Sequence, residues 1–335
     1  MTHLGIINLL YNIVKFLIIQ TAFIGDVILA TPVIEKIHDF FPDSKIDFLL
    51  KDGTQNILRN NPIVNNIIVW KKDNNKNRNL IKIIKLIRSV KYDYVINLQR
   101  YFSTGLICLL SNANQTIGFD KNPLSFLYSI KIKHKIKRGT HEIERNLSLI
   151  TNLTDNKLIK PKVYPSEEDF KLVADLTKKP YICIAPISLW YTKKLPANKW
   201  IKIINKINSR IYLIGAKDDF NECENIKIKC KNNDVINLCG KLSLLQSAAL
   251  IKEAMMNFVT DSAPLHLASA MNAPTTSIFC STTPTFGFGP LSEDAKIVEI
   301  QEELDCRPCG LHGLVKCPEK HFKCANNILI EDIVT

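Results

Sequence analysis

Residues 258–290, FVTDSAPLHLASAMNAPTTSIFCSTTPTFGFGP, decide the fold of this chain. They read as a strand, a sharp turn, a short helix, a second strand and a polar loop. FVT finishes an apolar strand. Asp261 and Ser262 are residue types that accept hydrogen bonds from the free amides of a helix start. Residues 265–271 are apolar and rich in good helix formers. Pro274 stops that helix, and the β-branched and aromatic TTSIF predicts a buried strand. A helix that begins at the carboxyl end of a parallel strand aims its free amides into the crevice where open α/β sheets bind ligands. That arrangement suits an anion such as a diphosphate. His266, one turn in, is within reach of the same anion. The competing reading is an ordinary β-α-β unit with a capped helix.

Outward from this segment the same alternation recurs twice. KFLIIQ, IDFLL, IIVW, YDYVINL and TIGF read as strands between residues 15 and 119. Helical stretches lie between them: DVILATPVIEKIHDFF, with Pro32 early in it, RNLIKIIKLIRSV and GLICLLSNA. Residues 152–165, polar and carrying two prolines, read as a linker. Alternation restarts with YICIAP, RIYLIGA and VINLCG as strands, and NKWIKIINKI and SLLQSAALIKEA as helices. The pattern predicts an α/β chain of two Rossmann-like, doubly wound domains facing a central cleft, residues 1–160 and 161–335. The last ten residues form a short amphipathic stretch suited to pack across the domain boundary.

The length of 335 residues suits two domains, and a hydrophobic content of 46% supplies two cores. Lys and Arg number 44 against 32 Asp and Glu, for a net charge of +12. The excess points to acidic partners, among them nucleotide phosphates, an anionic membrane face and nucleic acid. No stretch interleaves basic and aromatic residues as nucleic-acid modules do, so nucleic acid is not an expected partner. No apolar run reaches the roughly 18 residues of a membrane span. Residues 4–19 come nearest, and read as a short helix leading into the first strand or as an interfacial anchor. No small-residue cleavage site follows them. Ten cysteines without an export signal point to a reducing compartment. There is no GxGxxG, no GxxxxGK[ST] and no GxSxG, which disfavours nicotinamide dehydrogenases, P-loop kinases and serine hydrolases.

Four further groups of residues bear on chemistry. Gly25 permits a tight turn after the first strand, and Asp26 follows at the helix start. Asp26 is a helix cap or a general base for a hydroxyl nucleophile. Lys193 and Lys194 lie in a loop after the first strand of the second half, either solvated or within reach of a leaving phosphate. Asp218 and Asp219 follow IGA at the end of another strand. They are suited to ribose hydroxyls or to capping the next helix. Cys306, Cys309, Cys317, His321 and Cys324 have spacing acceptable for a structural zinc, or are reduced cysteines of a packed loop. His141, which opens another helix, is a cleft residue, a cap or a packed histidine.

Taken together, these segments resemble the ADP-heptose:lipopolysaccharide heptosyltransferases, glycosyltransferase family 9. The resemblance runs from about residue 15 to the C-terminus. It rests on GDVILATPVI, GTHEIERNLSLI, KKLPANKW, LIGAKDD, VINLCGKLSLLQSAALI, TDSAPLHLASAMNAPTTSIFCSTTP and the Cys-rich DCRPCGLHGLVKCPEKHFKCANNI, in that order. Two positions depart from the family pattern: Ala263 where Gly is usual, and Leu195 where Trp is usual.

The resemblance implies a GT-B fold whose second domain binds an ADP-sugar donor. It implies transfer of a heptose, with inversion, to the anionic lipopolysaccharide inner core (a lipid A-Kdo acceptor). The enzyme would be cytoplasmic and peripheral to the inner membrane. Carried over residue by residue, Asp26 is the catalytic base and Lys193 contacts the donor phosphates, with Lys194 beside it. Asp261, Ser262, Ala263 and His266 form the diphosphate-binding helix start, and Asp219 or Asp218 approaches the ribose. With ADP stabilised by these groups, no cofactor is required for transfer, and the zinc considered above would be structural. The alternatives are a glycosyltransferase of the same fold using another nucleotide sugar for a different surface glycan, and a nucleotide-sugar epimerase of that fold.

Overall fold

The computed structural model describes residues 13–72, 75–136 and 139–334. Most of the 4–19 stretch therefore lies outside the described residues. From Lys15 onward it is a strand, and β1 (Lys15–Ile19) is buried apart from its first residue. It runs into α1 (Ile24–Phe40), β2 (Lys45–Lys51), β3 (Val64–Trp70), α2 (Lys76–Val90), β4 (Tyr94–Asn97), α3 (Phe102–Leu110), β5 (Gln115–Phe119) and β6 (Ile130–Ile132). The six strands form one parallel sheet in the order β3-β2-β1-β4-β5-β6. This is the Rossmann strand order, which reverses direction between β1 and β4.

After α4 (Glu142–Ser148) the chain runs without helix or strand to α5 (Glu167–Val173). The second series is β7 (Tyr181–Ala185), α6 (Ala197–Lys206), β8 (Arg210–Leu213), α7 (Phe220–Ile228), β9 (Val235–Asn237), α8 (Leu244–Glu253), β10 (Met256–Thr260), α9 (Ala263–Met271), β11 (Thr275–Phe279) and β12 (Ala295–Glu299). Its parallel order is β12-β11-β10-β7-β8-β9, the same winding, with the reversal between β7 and β10. Strands β1, β7 and β11 are almost wholly buried because helices cover both faces of each sheet.

Pro32 lies in the middle of α1, further in than the sequence reading has it, because the helix begins at Ile24. A mid-helix proline removes one ladder donor and leaves a carbonyl four residues back unsatisfied. Here that carbonyl belongs to Ile28, and the hydroxyl of Thr31 donates to it at 2.8 Å. The side-chain amide of Asn146 on α4 donates to Leu29 O at 3.1 Å. The Thr-Pro pair is thus self-repairing, and α4 braces the same turn.

Three elements escape the sequence reading: β6, β12 and α5. The first two are edge strands alternating lysine or glutamate with isoleucine or valine, so their apolar signal is half that of a central strand. The third announces itself only by the capping pair Ser166 and Asp169. The C-terminal residues form α10 (Lys323–Asn326) and α11 (Glu331–Val334). They do not bridge the two halves: Ile328 and Ile333 pack with Trp200, Ile203 and Ile204 in the second core.

Candidate functional site

Both reversal points open toward one place. Loops leaving the carboxyl ends of β1, β7, β10 and β11 carry the residues that meet there. From the N-terminal half comes the first turn of α1. The amide of Phe23 donates to Asp26 Oδ2 at 3.1 Å, so Asp26 does cap its own helix. Burial pushes its carboxyl above the ordinary range. The Phe23 amide and the nearby His312 and Lys193 oppose that shift without cancelling it.

Gly25 is helical, so a special turn conformation does not explain it. A close approach does. A Cβ built on Gly25 would stand 2.8 Å from Cδ2 of His266, which belongs to the other half. His266 is buried, and its Nδ1 has no hydrogen-bond partner in the protein. Burial pulls its pKa down to about 4, against the pull of Asp261, so the ring is neutral near pH 7.

Asp261 and Ser262 do not cap α9 as the sequence suggested. The Ser262 hydroxyl turns back to the carbonyl of Thr260 at 3.3 Å and makes no capping bond. The buried Asp261 carboxylate receives Lys193 Nζ at 2.8 Å and the Thr282 hydroxyl at 2.6 Å. Two stronger donors have outcompeted the helix amides for it. The first turn of α9, with Ala263 and Pro264, is left without a side-chain cap from Ser262. Lys193 sits in the one-turn helix Tyr191–Lys193. The tail holds that turn from above: the Leu314 amide donates to Thr192 Oγ1 at 2.7 Å, and Gly313 lies against the Lys193 stem.

Lys194 points elsewhere, forming an ion pair with Glu222 at 2.7 Å. Asp219 accepts from the Ala216 amide at 2.8 Å. Its carboxyl is raised by burial, with Ala216 and Lys194 opposing. Asp218 is exposed beside it. These three residues gather at the carboxyl end of β8, next to the Lys193–Asp261 pair along the sheet.

His141 both caps a helix and binds the other half. Its Nδ1 accepts from the Ile143 amide, and Nε2 donates to Gly289 O, each at 3.2 Å. It belongs to a clasp in which segment 139–145 grips segment 285–289. The Glu142 amide donates to Gly287 O at 2.8 Å, and the Arg145 guanidinium donates to Phe286 O at 2.8 Å and Thr140 O at 2.7 Å. Arg145 also pairs with Glu142 at 2.6 Å. The Glu142 carboxyl is pushed up by burial, with Arg145 opposing and Asp26 adding to the rise. A second carboxylate therefore lies within electrostatic range of Asp26. Sequence reasoning missed Glu142, Arg145 and His312, which the contact between the halves brings to the site, and Thr282, which reaches Asp261 from the end of β11.

All ten cysteines are free thiols. Cys306 Sγ lies 3.9 Å from His321 Nε2, while the Cys309 thiol turns to the Cys306 carbonyl at 3.2 Å. Cys317 and Cys324 lie in the same packed region. Among the described residues no three His, Cys, Asp or Glu side chains converge as metal ligands. The loop is held instead by Arg307, whose guanidinium donates to Cys280 O at 2.6 Å and Thr282 O at 2.7 Å.

A model of the family described as Glycosyltransferase family 9 (heptosyltransferase) matches residues 80–312. Lipopolysaccharide heptosyltransferase 3 of Escherichia coli is 31% identical over 281 residues, which cover 79% of this chain and 83% of that protein. Among solved structures, a glycosyl transferase family 9 protein from Veillonella parvula superposes with a TM-score of 0.78 at 20% identity, covering 95% of this chain and 97% of that one. The E. coli ADP-heptose lps heptosyltransferase II superposes with a TM-score of 0.76 at 18% identity, covering 95% and 99%. At those identities the structures establish a shared fold, two parallel-sheet Rossmann-like halves.

Proposed function

The chain belongs to glycosyltransferase family 9 and is a glycosyltransferase, and from that premise we propose that it moves a heptose from ADP-heptose to the lipopolysaccharide inner core with inversion. The observation that carries this reading is the meeting, at two sheet reversal points, of a carboxylate with raised proton affinity and a buried lysine beside an open helix start.

In this mechanism an acceptor hydroxyl attacks the anomeric carbon while the carbon–oxygen bond to the diphosphate breaks. The bonding pair leaves with ADP, and the hydroxyl proton passes to Asp26. A base whose pKa is raised toward the working pH is matched to that transfer. Charge developing on the leaving phosphate meets Lys193 and the positive end of α9, where the Ala263 amide is the donor on offer, since Pro264 has no N–H and the Leu265 amide donates to Ser262 O. Asp261 is not a phosphate ligand here, since a carboxylate repels a diphosphate. It fixes the ammonium of Lys193 in place with help from Thr282. His266 serves as a neutral group beside the helix start, and its buried Nδ1 makes no hydrogen bond within the protein. Lys194 and Asp219, at the next strand end, are within reach of the ribose.

A thermal-shift screen of nucleotide sugars tests the donor assignment. A ligand at about 100 times its Kd stabilises a fold by about 2.7 kcal/mol. ADP-heptose should raise the melting temperature while UDP- and GDP-sugars do not. A response confined to another nucleotide would transfer the reading to a different surface glycan. Conversion of the donor in the absence of any acceptor would mark an epimerase.

A further inference from the structure

Strands β4, β5 and β6 are neighbours at one edge of the N-terminal sheet, so their carboxyl-end loops stand side by side. The loops are stitched together. The Asn122 side-chain amide donates to Gln99 O at 3.3 Å and Tyr101 O at 3.0 Å, and the His134 amide donates to Asp120 Oδ1 at 2.8 Å. They border an open hollow of about 460 Å³ lined by Arg100, Lys121, His134 and Ile136.

Around this basic hollow stand large apolar side chains with nothing over them. Tyr101 is 64% exposed, Phe102 57%, Phe126 71% and Leu127 56%. With Ile136, five of the twenty exposed large hydrophobics among the described residues lie on these three loops or, for Phe102, at the start of α3. Single exposed apolar residues need no explanation, but a cluster beside concentrated charge does. Between positions 99 and 136 the chain has five basic residues, Arg100, Lys121, Lys131, Lys133 and Lys135, against one acid, Asp120. All five are exposed, and Asp120 is already engaged by the His134 amide.

We propose that this corner of the N-terminal domain docks on an anionic phospholipid bilayer, its aromatic and aliphatic side chains entering the interface while the surrounding cations meet lipid phosphates. Tyr and Phe on tight turns beside Lys and Arg form the composition that interfacial binding uses. Charge complementarity selects the occupant: an anionic lipid surface uses both the five cations and the four apolar side chains. A nucleic acid would leave Phe126 and Leu127, on a one-turn helix, without a role. The proposal rests on the reading that the acceptor is a membrane-borne amphiphile, which this corner would bring beside the first turn of α1.

Flotation of the full chain with vesicles tests it. Vesicles of phosphatidylglycerol and phosphatidylethanolamine should bind the protein at low salt, and vesicles of phosphatidylcholine alone much less. Each surface cation contributes roughly fivefold, and each apolar side chain that is fully buried in lipid contributes about tenfold. Phe126→Ser with Leu127→Ser should therefore lower partitioning at least tenfold, and Lys121→Glu should lower it severalfold. Leu172→Ser, an exposed position on α5, should change nothing. Equal melting temperatures would show that all variants fold. The Phe126/Leu127 variant should still transfer sugar to an acyl-free acceptor fragment at the wild-type rate. Wild-type protein that ignores anionic vesicles, or a double variant that binds them undiminished, overturns the proposal. So does a double variant that loses transfer to the acyl-free fragment, because the surface would then belong to the sugar acceptor. If wild-type protein binds vesicles yet transfers to neither acceptor form, the functional reading fails instead.

Discussion

Gly25 and His266 touch across the two halves of the molecule: a methyl group on Gly25 would lie 2.8 Å from the imidazole Cδ2. That contact sets the separation between the turn carrying Asp26 and the helix start beside Lys193. Substitution of Gly25 by Ala must displace the His266 ring or the backbone that carries it. We expect a stability loss of about 1–3 kcal/mol, as for other overpacking changes. Most of that loss should vanish in a His266→Ala background, and denaturant unfolding of the four variants in the cycle reads it. Additive losses would show that the contact is not the cause.

The Asp26 carboxyl is raised by burial, and two consequences follow. A base must be ionised, so kcat/KM should fall as pH drops through a pKa above the ordinary 3.8. For stability the sign reverses. A carboxyl with a raised folded-state pKa favours the folded state at low pH, and that contribution is lost as pH rises through the folded value. Asp26→Asn, which never ionises, should be at least as stable as the wild type at pH 7. Calorimetry of the two proteins at pH 4 and pH 7 checks this, and a variant markedly less stable at pH 7 contradicts it.

Lys193 and Asp261 form a pair in which both side chains are largely buried, 14% and 6% exposed. Removing one partner of such a pair costs about 3–5 kcal/mol, because the remaining charge is stranded. Lys193→Met should show that loss. Adding Asp261→Asn should restore most of the stability and none of the transfer activity. Chemical denaturation paired with a turnover assay separates the two effects. Recovery of activity in the double variant would remove Lys193 from the phosphate site.

Arg145 joins the halves by donating to Phe286 O, while it also holds Thr140 O of its own segment and balances Glu142. A lysine cannot reproduce that fork. Arg145→Lys should loosen segments 139–145 and 285–289, seen as faster hydrogen exchange there, and should slow transfer. Glu142 left without its guanidinium should then take up a proton more readily. The exchange penalty should therefore shrink as pH falls below neutrality, and a pH-independent penalty would contradict the pairing.

Much of this fold is legible in sequence because parallel strands buried on both faces are runs of apolar or β-branched residues, as in KFLII and TTSIF. The edge strands β6 and β12 are not, because solvent on one side dilutes the signal with lysine and glutamate. Asp26, Lys193, Asp261 and His266 stand out by lying just past strand ends. Their mutual pairing does not. Asp261 reads equally well as a helix cap, and only the arrival of Lys193 and Thr282 from other strand ends decides against it. Glu142 and Arg145 read as ordinary helix-surface charges until the clasp buries them.

Single-turnover transfer from ADP-heptose by wild type and Asp26→Asn, with donor Kd measured in parallel, tests the central claim most directly. The account predicts unchanged donor affinity and a rate reduced by about 10²–10⁴-fold, the usual contribution of a positioned base. Near-wild-type transfer by Asp26→Asn would contradict it.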